Sequence, residues 1–402
     1  MHIALLADPA HFHTRKWASG LLAAGAQVTL FSFSDAVWDA APCVRIEPRL
    51  TRGGRVTYAS FLASGGRLRR ALEAHRVDLL QAIDVTPYGV WAARSGFRPL
   101  ALIAMGADIL EYPPRNPSLA VPAARTWGSL ETGDRPLYRL ADRIRRPIFR
   151  HLVRQALFQA GLITADNLQV AHAVRDWFGV PEARIRLNRW GVEPALFEAS
   201  PAQLAALRAR FGIREGQRVV LAPRGLRPIY RGDLVLDAFE ALLREGREEK
   251  FILLSAGYGA PEAWVARAQA LAAAYPQFHF GQDLLDRADM CRLWTLTDVM
   301  VNIPVYDGLS NALTEARYAG VVPLVHELPA HREVGLVHGE TAWYADPLDA
   351  ARLADSLREL LADAARIKAA LAPANRAWVQ EHALLSVSSA RFLEWAAALV
   401  QR

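Results

Sequence analysis

"DVMVNIPVYDGLSNALTEARYAGVVPLVH", residues 298–326, decides how the chain is built. Two apolar runs, "DVMVNIP" and "VVPLVH", flank a polar turn and a helical segment that ends at Gly320. The runs are continuously apolar rather than alternating, which means burial on both faces and therefore parallel strands sandwiched by helices. Outward from this unit the pattern repeats. "HIALLA", "QVTLFSF", "VDLLQAI", "PLALIAM" and "GLITAD" fill the first half, and "RVVLAP" and "KFILLSA" precede the opening stretch in the second. The fold class is α/β. The pattern begins near residue 2 and again near residue 218, with the helix-prone stretch "EPALFEASPAQLAALRARFGIREGQ" between. Two doubly wound, Rossmann-like domains are expected, 1–197 and 198–380, with a terminal helix in 381–402 packing back on the first. Facing across a cleft, such domains present the carboxyl ends of their sheets, where ligands bind.

Composition narrows the partners. The 402 residues are half hydrophobic, enough for two domain cores. Cys43 and Cys291 stand far apart without a CxxC spacing, which points away from a zinc site or a disulfide framework and fits a reducing, cytoplasmic compartment. The start "MHIALLADPA" reads as a first strand, and no apolar run is long enough to cross a membrane. The net charge of +6 is carried by arginine, since Lys16, Lys250 and Lys368 are the lysines. That favours an anionic partner. Nucleic acid is disfavoured because the basic residues lack aromatic interleaving or a repeat.

Three loops of the second half sit at carboxyl ends of expected strands. "RGLRPIYRG" offers Arg224, Arg227 and Arg231, whose guanidinium forks suit a diphosphate. "GYG" places Gly257 and Gly259 where a backbone can approach a ring or a phosphate. In the opening stretch, the amides of Gly308, Leu309, Ser310 and Asn311 lie at the start of a helix, an anion site by geometry and dipole. Asp307 and Glu315 are eight positions apart, one before that helix and one on it. Taken alone, the pair reads first as a loop acid followed by a solvated helix acid, and the functional reading rests on the rest of the chain.

These motifs, with "HFHTRKWASGLLAAGAQVTLFSF", "MGADIL", "GLITADN", "NRWGVEPALF", "SAGYG" and "DLLDRADMCRLWTLTDVMVN" in order, resemble the retaining GT-B glycosyltransferases of family four. Asp307 to Glu315 keeps the spacing of that family's two-carboxylate signature, with the first acid shortened to Asp. The resemblance implies transfer of a sugar from a UDP- or GDP-linked donor to a hydroxyl acceptor, without a metal or other cofactor, in cell-envelope glycan, glycolipid or polysaccharide synthesis. It gives Glu315 the ribose hydroxyls, Asp307 the donor-sugar hydroxyls, the Gly308–Ser310 amides the sugar or phosphates, and Arg224 the diphosphate. Arg231, and after it Arg227, stand where the family has a lysine. Met105 replaces a family histidine beside Gly106, so the polar group that meets the sugar there is unassigned. Asp108 either orients the acceptor or caps a helix over "ILEY". His13, near His11, lies in the family's acceptor and phosphate loop, and Trp190 reads as packing. Two other readings are a non-catalytic nucleotide- or lipid-binding relative, for which Met105 and the missing lysine argue, and a sugar-nucleotide epimerase.

The stretch "RPLYRLADRIRRPIFRHLVR", 135–154, sets Leu137, Leu140, Ile144, Ile148 and Leu152 at helical spacing among seven arginines. It is either a core stripe with a solvated face or an anchor that holds the protein peripherally on the anionic inner face of the plasma membrane, where lipid-linked glycan acceptors reside.

Overall fold

The computed structural model describes residues 1–52, 55–112, 136–255, 259–283, 285–346 and 349–401, and for 136–145 the backbone alone. The chain divides into two compact units. Among the described residues one unit holds 1–112, 136–190 and 385–401, and the other holds 191–384. The first unit thus ends at Trp190, earlier than the boundary near 197, and the chain returns to it at Leu385.

The first unit is built on a seven-stranded sheet, β1 (His2–Leu6), β2 (Gln27–Ser32), β3 (Cys43–Arg45), β4 (Leu79–Ile83), β5 (Leu100–Ala104), β6 (Leu162–Ala165) and β7 (Ile185–Leu187). Every pairing is parallel, in the order β3-β2-β1-β4-β5-β6-β7. The order reverses between β1 and β4, so the crevice outside their carboxyl ends is the natural ligand position of this sheet. Trp17 on the helix Phe12–Ala23 and Phe392 on the terminal helix Leu385–Val400 meet edge to face at 5.5 Å in the core under β1.

The second unit has six parallel strands, β8 (Val219–Ala222), β9 (Lys250–Leu254), β10 (Phe278–Gly281), β11 (Val299–Asn302), β12 (Val322–Val325) and β13 (Trp343–Tyr344). Their order is β10-β9-β8-β11-β12-β13, with reversal between β8 and β11. Central strands are buried along their whole length on both faces, as their continuous apolar runs require. On one face Val299 and Val301 of β11 pack with Phe239 and Leu357, and on the other Met300 packs with Leu309, Leu313 and Trp294.

The basic stretch forms one helix, Pro136–Gln159, with Pro147 inside it. Leu137, Arg139, Leu140, Arg143 and Ile144 have side chains outside the described residues. No helix among the described residues is long and apolar enough to cross a membrane.

Candidate active site

In the second unit three loops are stitched together at the β8/β11 reversal. Leu226 N–H donates to Ser255 Oγ at 3.1 Å, joining the loop after β8 to the one after β9, and Val305 N–H donates to Ile229 O at 2.8 Å, joining it to the one after β11. The loop after β8 needs two glycines to fold so tightly. Gly225 has φ +75°, and a Cβ on Gly232 would lie 2.6 Å from the Leu226 Cα.

Arg224 sits where these loops converge. Its guanidinium pairs with Asp307 Oδ2 at 2.9 Å, donates to Ser310 Oγ at 3.0 Å and to Tyr230 Oη at 2.9 Å, and lies 4.3 Å from the Tyr230 ring centroid. Burial opposes its charge, but Asp307 and Tyr230 more than offset this, and its pKa is raised. Burial also pushes the Asp307 carboxyl above the usual range, against the pull of Arg224 and of the Gly308 amide on its Oδ1. Ser310 is the cap residue of the helix Asn311–Ala319, yet its hydroxyl makes no cap bond. It serves Arg224 instead. Leu309 is buried in the core, so its side chain anchors the turn. Glu315, one turn into the helix, accepts from Trp294 Nε1 at 3.4 Å.

The other expected residues separate. Arg231 is buried with φ +51° and grips Asp233 through Nε and Nη2 at 3.1 and 3.0 Å, at the start of the helix Gly232–Arg244. Arg227 lies 5.6 Å from the Tyr230 ring centroid, on the same loop as Arg224. Gly257 lies outside the described residues. Tyr230 is the group that the sequence did not single out. It follows Arg224 by six positions with no periodic signal, and only the short helical turn Pro228–Tyr230 brings it back.

In the first unit, Met105 and Gly106 follow β5, and Gly106 has φ +112°. Gly106, not Asp108, is the cap residue of the helix Ala107–Leu110, which sets aside the capping alternative for Asp108. Asp108 instead accepts from Val85 N at 2.7 Å and Met105 N at 2.9 Å, tying the loops after β4 and β5 together. Burial raises its pKa to about 6. The His13 ring lies 3.8 Å from that of Phe12 and 5.3 Å from that of Trp190, tilted to both, and its backbone N–H donates to His11 Nδ1 at 3.3 Å. Trp190 is 5 % exposed and packs as expected. Arg150 of the basic helix donates to the Tyr112 and Trp177 carbonyls and lies over the Phe178 ring, so it ties the unit together rather than joining a solvated face.

Residues 2–128 match the family model described as Glycosyl transferase 4-like, and residues 217–363 match that of Glycosyl transferases group 1. With its two Rossmann-like units, each built on a parallel sheet, the chain belongs to these glycosyltransferases, of GT-B fold. It is 27 % identical over 242 residues to the 2-deoxystreptamine glucosyltransferase of Streptomyces kanamyceticus, a match that spans 60 % of this chain and 61 % of that relative. Among solved structures it is similar to a sucrose-phosphate synthase from Thermosynechococcus elongatus, with a TM-score of 0.73 at 18 % identity over 100 % of this chain and 99 % of that one. It is also similar to HepE from Anabaena in complex with UDP-glucose, with a TM-score of 0.73 at 16 % identity over 99 % and 100 % of the two chains.

Proposed function

We propose that the protein transfers a sugar, with retention of configuration and without a metal, from a nucleotide diphosphate sugar to a hydroxyl of a glycan or lipid-linked acceptor. The observation that carries this reading is Arg224, held by Asp307, Ser310 and Tyr230 at the strand reversal of the second unit. A guanidinium so placed meets a diphosphate with charge-assisted bonds and stabilises the charge that grows on it as the sugar leaves. Arg227 on the same loop adds positive charge. Arg231, locked to Asp233, contributes through its position and field. Asp307 then turns its carboxylate to donor-sugar hydroxyls and Glu315 accepts from ribose. The bond from C1 to the diphosphate oxygen breaks, the acceptor oxygen bonds to C1 on the same face, and its proton passes to the departing diphosphate. UDP-glucose, bound by HepE, is the first donor to try.

Calorimetry tests the division of labour. Glu315→Ala should weaken UDP binding tenfold or more and lower activity with it. Asp307→Ala should bind UDP nearly as wild type does yet lose turnover of UDP-glucose. Equal UDP affinity in wild type and Glu315→Ala would remove the ribose role.

A further inference from the structure

We propose that Asp84 is the carboxylate that receives a hydroxyl of the acceptor in the first unit, an assignment that rests on the glycosyl-transfer reading above. Asp84 follows β4 directly, and β4 is one of the two strands between which that sheet's order reverses. A ligand of such a sheet lies outside the carboxyl ends of those strands. The other carboxyl nearby is committed, because Asp108 is 8 % exposed and both its oxygens accept backbone amides. Asp84 is only partly buried, and among the described residues its carboxylate takes one hydrogen bond, from Tyr88 N to Oδ1 at 3.0 Å. Its second oxygen is the acceptor that the loop leaves for a ligand.

The turn does not need the charge. Asp84 has φ +71°, a conformation rare for residues other than glycine, and its carbonyl accepts from Gly89 N at 3.2 Å. Asparagine is nearly isosteric with aspartate, so it meets the same backbone conformation with the same shape and offers Tyr88 the same oxygen. A carboxylate here bears a desolvation cost, compounded by Asp108, that raises its pKa well above the ordinary value. A hydroxyl donated to Oδ2 relieves that cost. Tyr58 and Tyr88 flank the position, with Tyr58 Oη bonded to Thr86 Oγ1 at 2.6 Å and its ring 4.2 Å from Phe149, and such rings suit the apolar faces of a sugar. In the transfer, Asp84 holds and orients the acceptor through a hydroxyl that does not itself react, and the reacting hydroxyl follows the proton path given above.

The test uses the full chain with UDP-glucose as donor probe and 2-deoxystreptamine as acceptor probe. Sugar release to water without acceptor is measured beside transfer. In Asp84→Asn, which keeps the Tyr88 bond, the ratio of transfer to hydrolysis should fall tenfold or more, mainly through a higher KM for the acceptor, while the KM for UDP-glucose stays. Asp84→Ala loses the turn's bond as well and should add a drop in melting temperature that Asp84→Asn does not show. An Asp84→Asn protein with the wild-type ratio overturns the proposal, as does one that loses transfer and hydrolysis in equal measure. Wild-type protein that neither transfers nor hydrolyses the donor would instead overturn the glycosyl-transfer reading itself.

Discussion

Arg224 and Asp307 hold one another at 2.9 Å with side chains 22 % and 18 % exposed, so each is the other's main compensation for leaving water. Arg224→Ala strands a carboxyl whose pKa burial already raises, and should destabilise the second unit by about 2 kcal/mol, less than a fully buried pair because water still reaches both groups. Asp307→Ala in that background should then cost little, since the charge it removes is already unpaired. The double-mutant cycle, read by urea unfolding, should give a coupling of about 1–2 kcal/mol. Additive costs would mean that the pair contributes nothing. That these two residues meet was half legible. The sequence put each on a loop at the carboxyl end of a strand, but gave them separate ligand groups, because strand order, which makes β8 and β11 neighbours, is not written in local pattern.

Among the elements, the nine central strands were legible and the four edge strands were not. β3, β7, β10 and β13 lie at the margins of their sheets and are two to four residues long, mostly half-exposed, so they lack the continuous apolar run that marks burial on both faces. Tertiary placement decides chemistry in the same way for His331 on the short helix Pro329–Glu333, which no sequence motif marks. It is fully buried, its Nδ1 donates to His326 O at 2.6 Å, and burial lowers its pKa to about 4. A depressed histidine binds its proton more readily unfolded, so its contribution is complete above the unfolded value of 6.5 and is lost as pH falls towards 4. The stability advantage of wild type over His331→Asn should shrink by about 3 kcal/mol between pH 7 and pH 4. Parallel pH profiles of the two proteins would show that His331 does not titrate in a buried, neutral state.

At the scale of the whole molecule, the first unit is completed by the last helix of the chain, Leu385–Val400. Phe392 is 0 % exposed against Trp17, and Asn188 Nδ2 donates to Ser388 O at 3.2 Å, so both ends of the chain share one core while 191–384 forms another. Two cores on one chain need not unfold together, and a single melting temperature would blend them. Hydrogen exchange of the full chain resolves them strand by strand. Phe392→Ala opens a cavity worth about 3–5 kcal/mol and should cut protection in β1, β4 and β5 by that order, leaving β8, β11 and β12 unchanged. UDP at a hundred times its dissociation constant should do the reverse, adding about 2.7 kcal/mol of protection to β8, β11 and β12, because a ligand stabilises the unit that binds it. Protection by UDP confined to β1, β4 and β5 would place the nucleotide in the first unit and refute the roles given to Arg224 and Glu315. Loss of protection throughout the chain in Phe392→Ala would show that the two cores unfold as one.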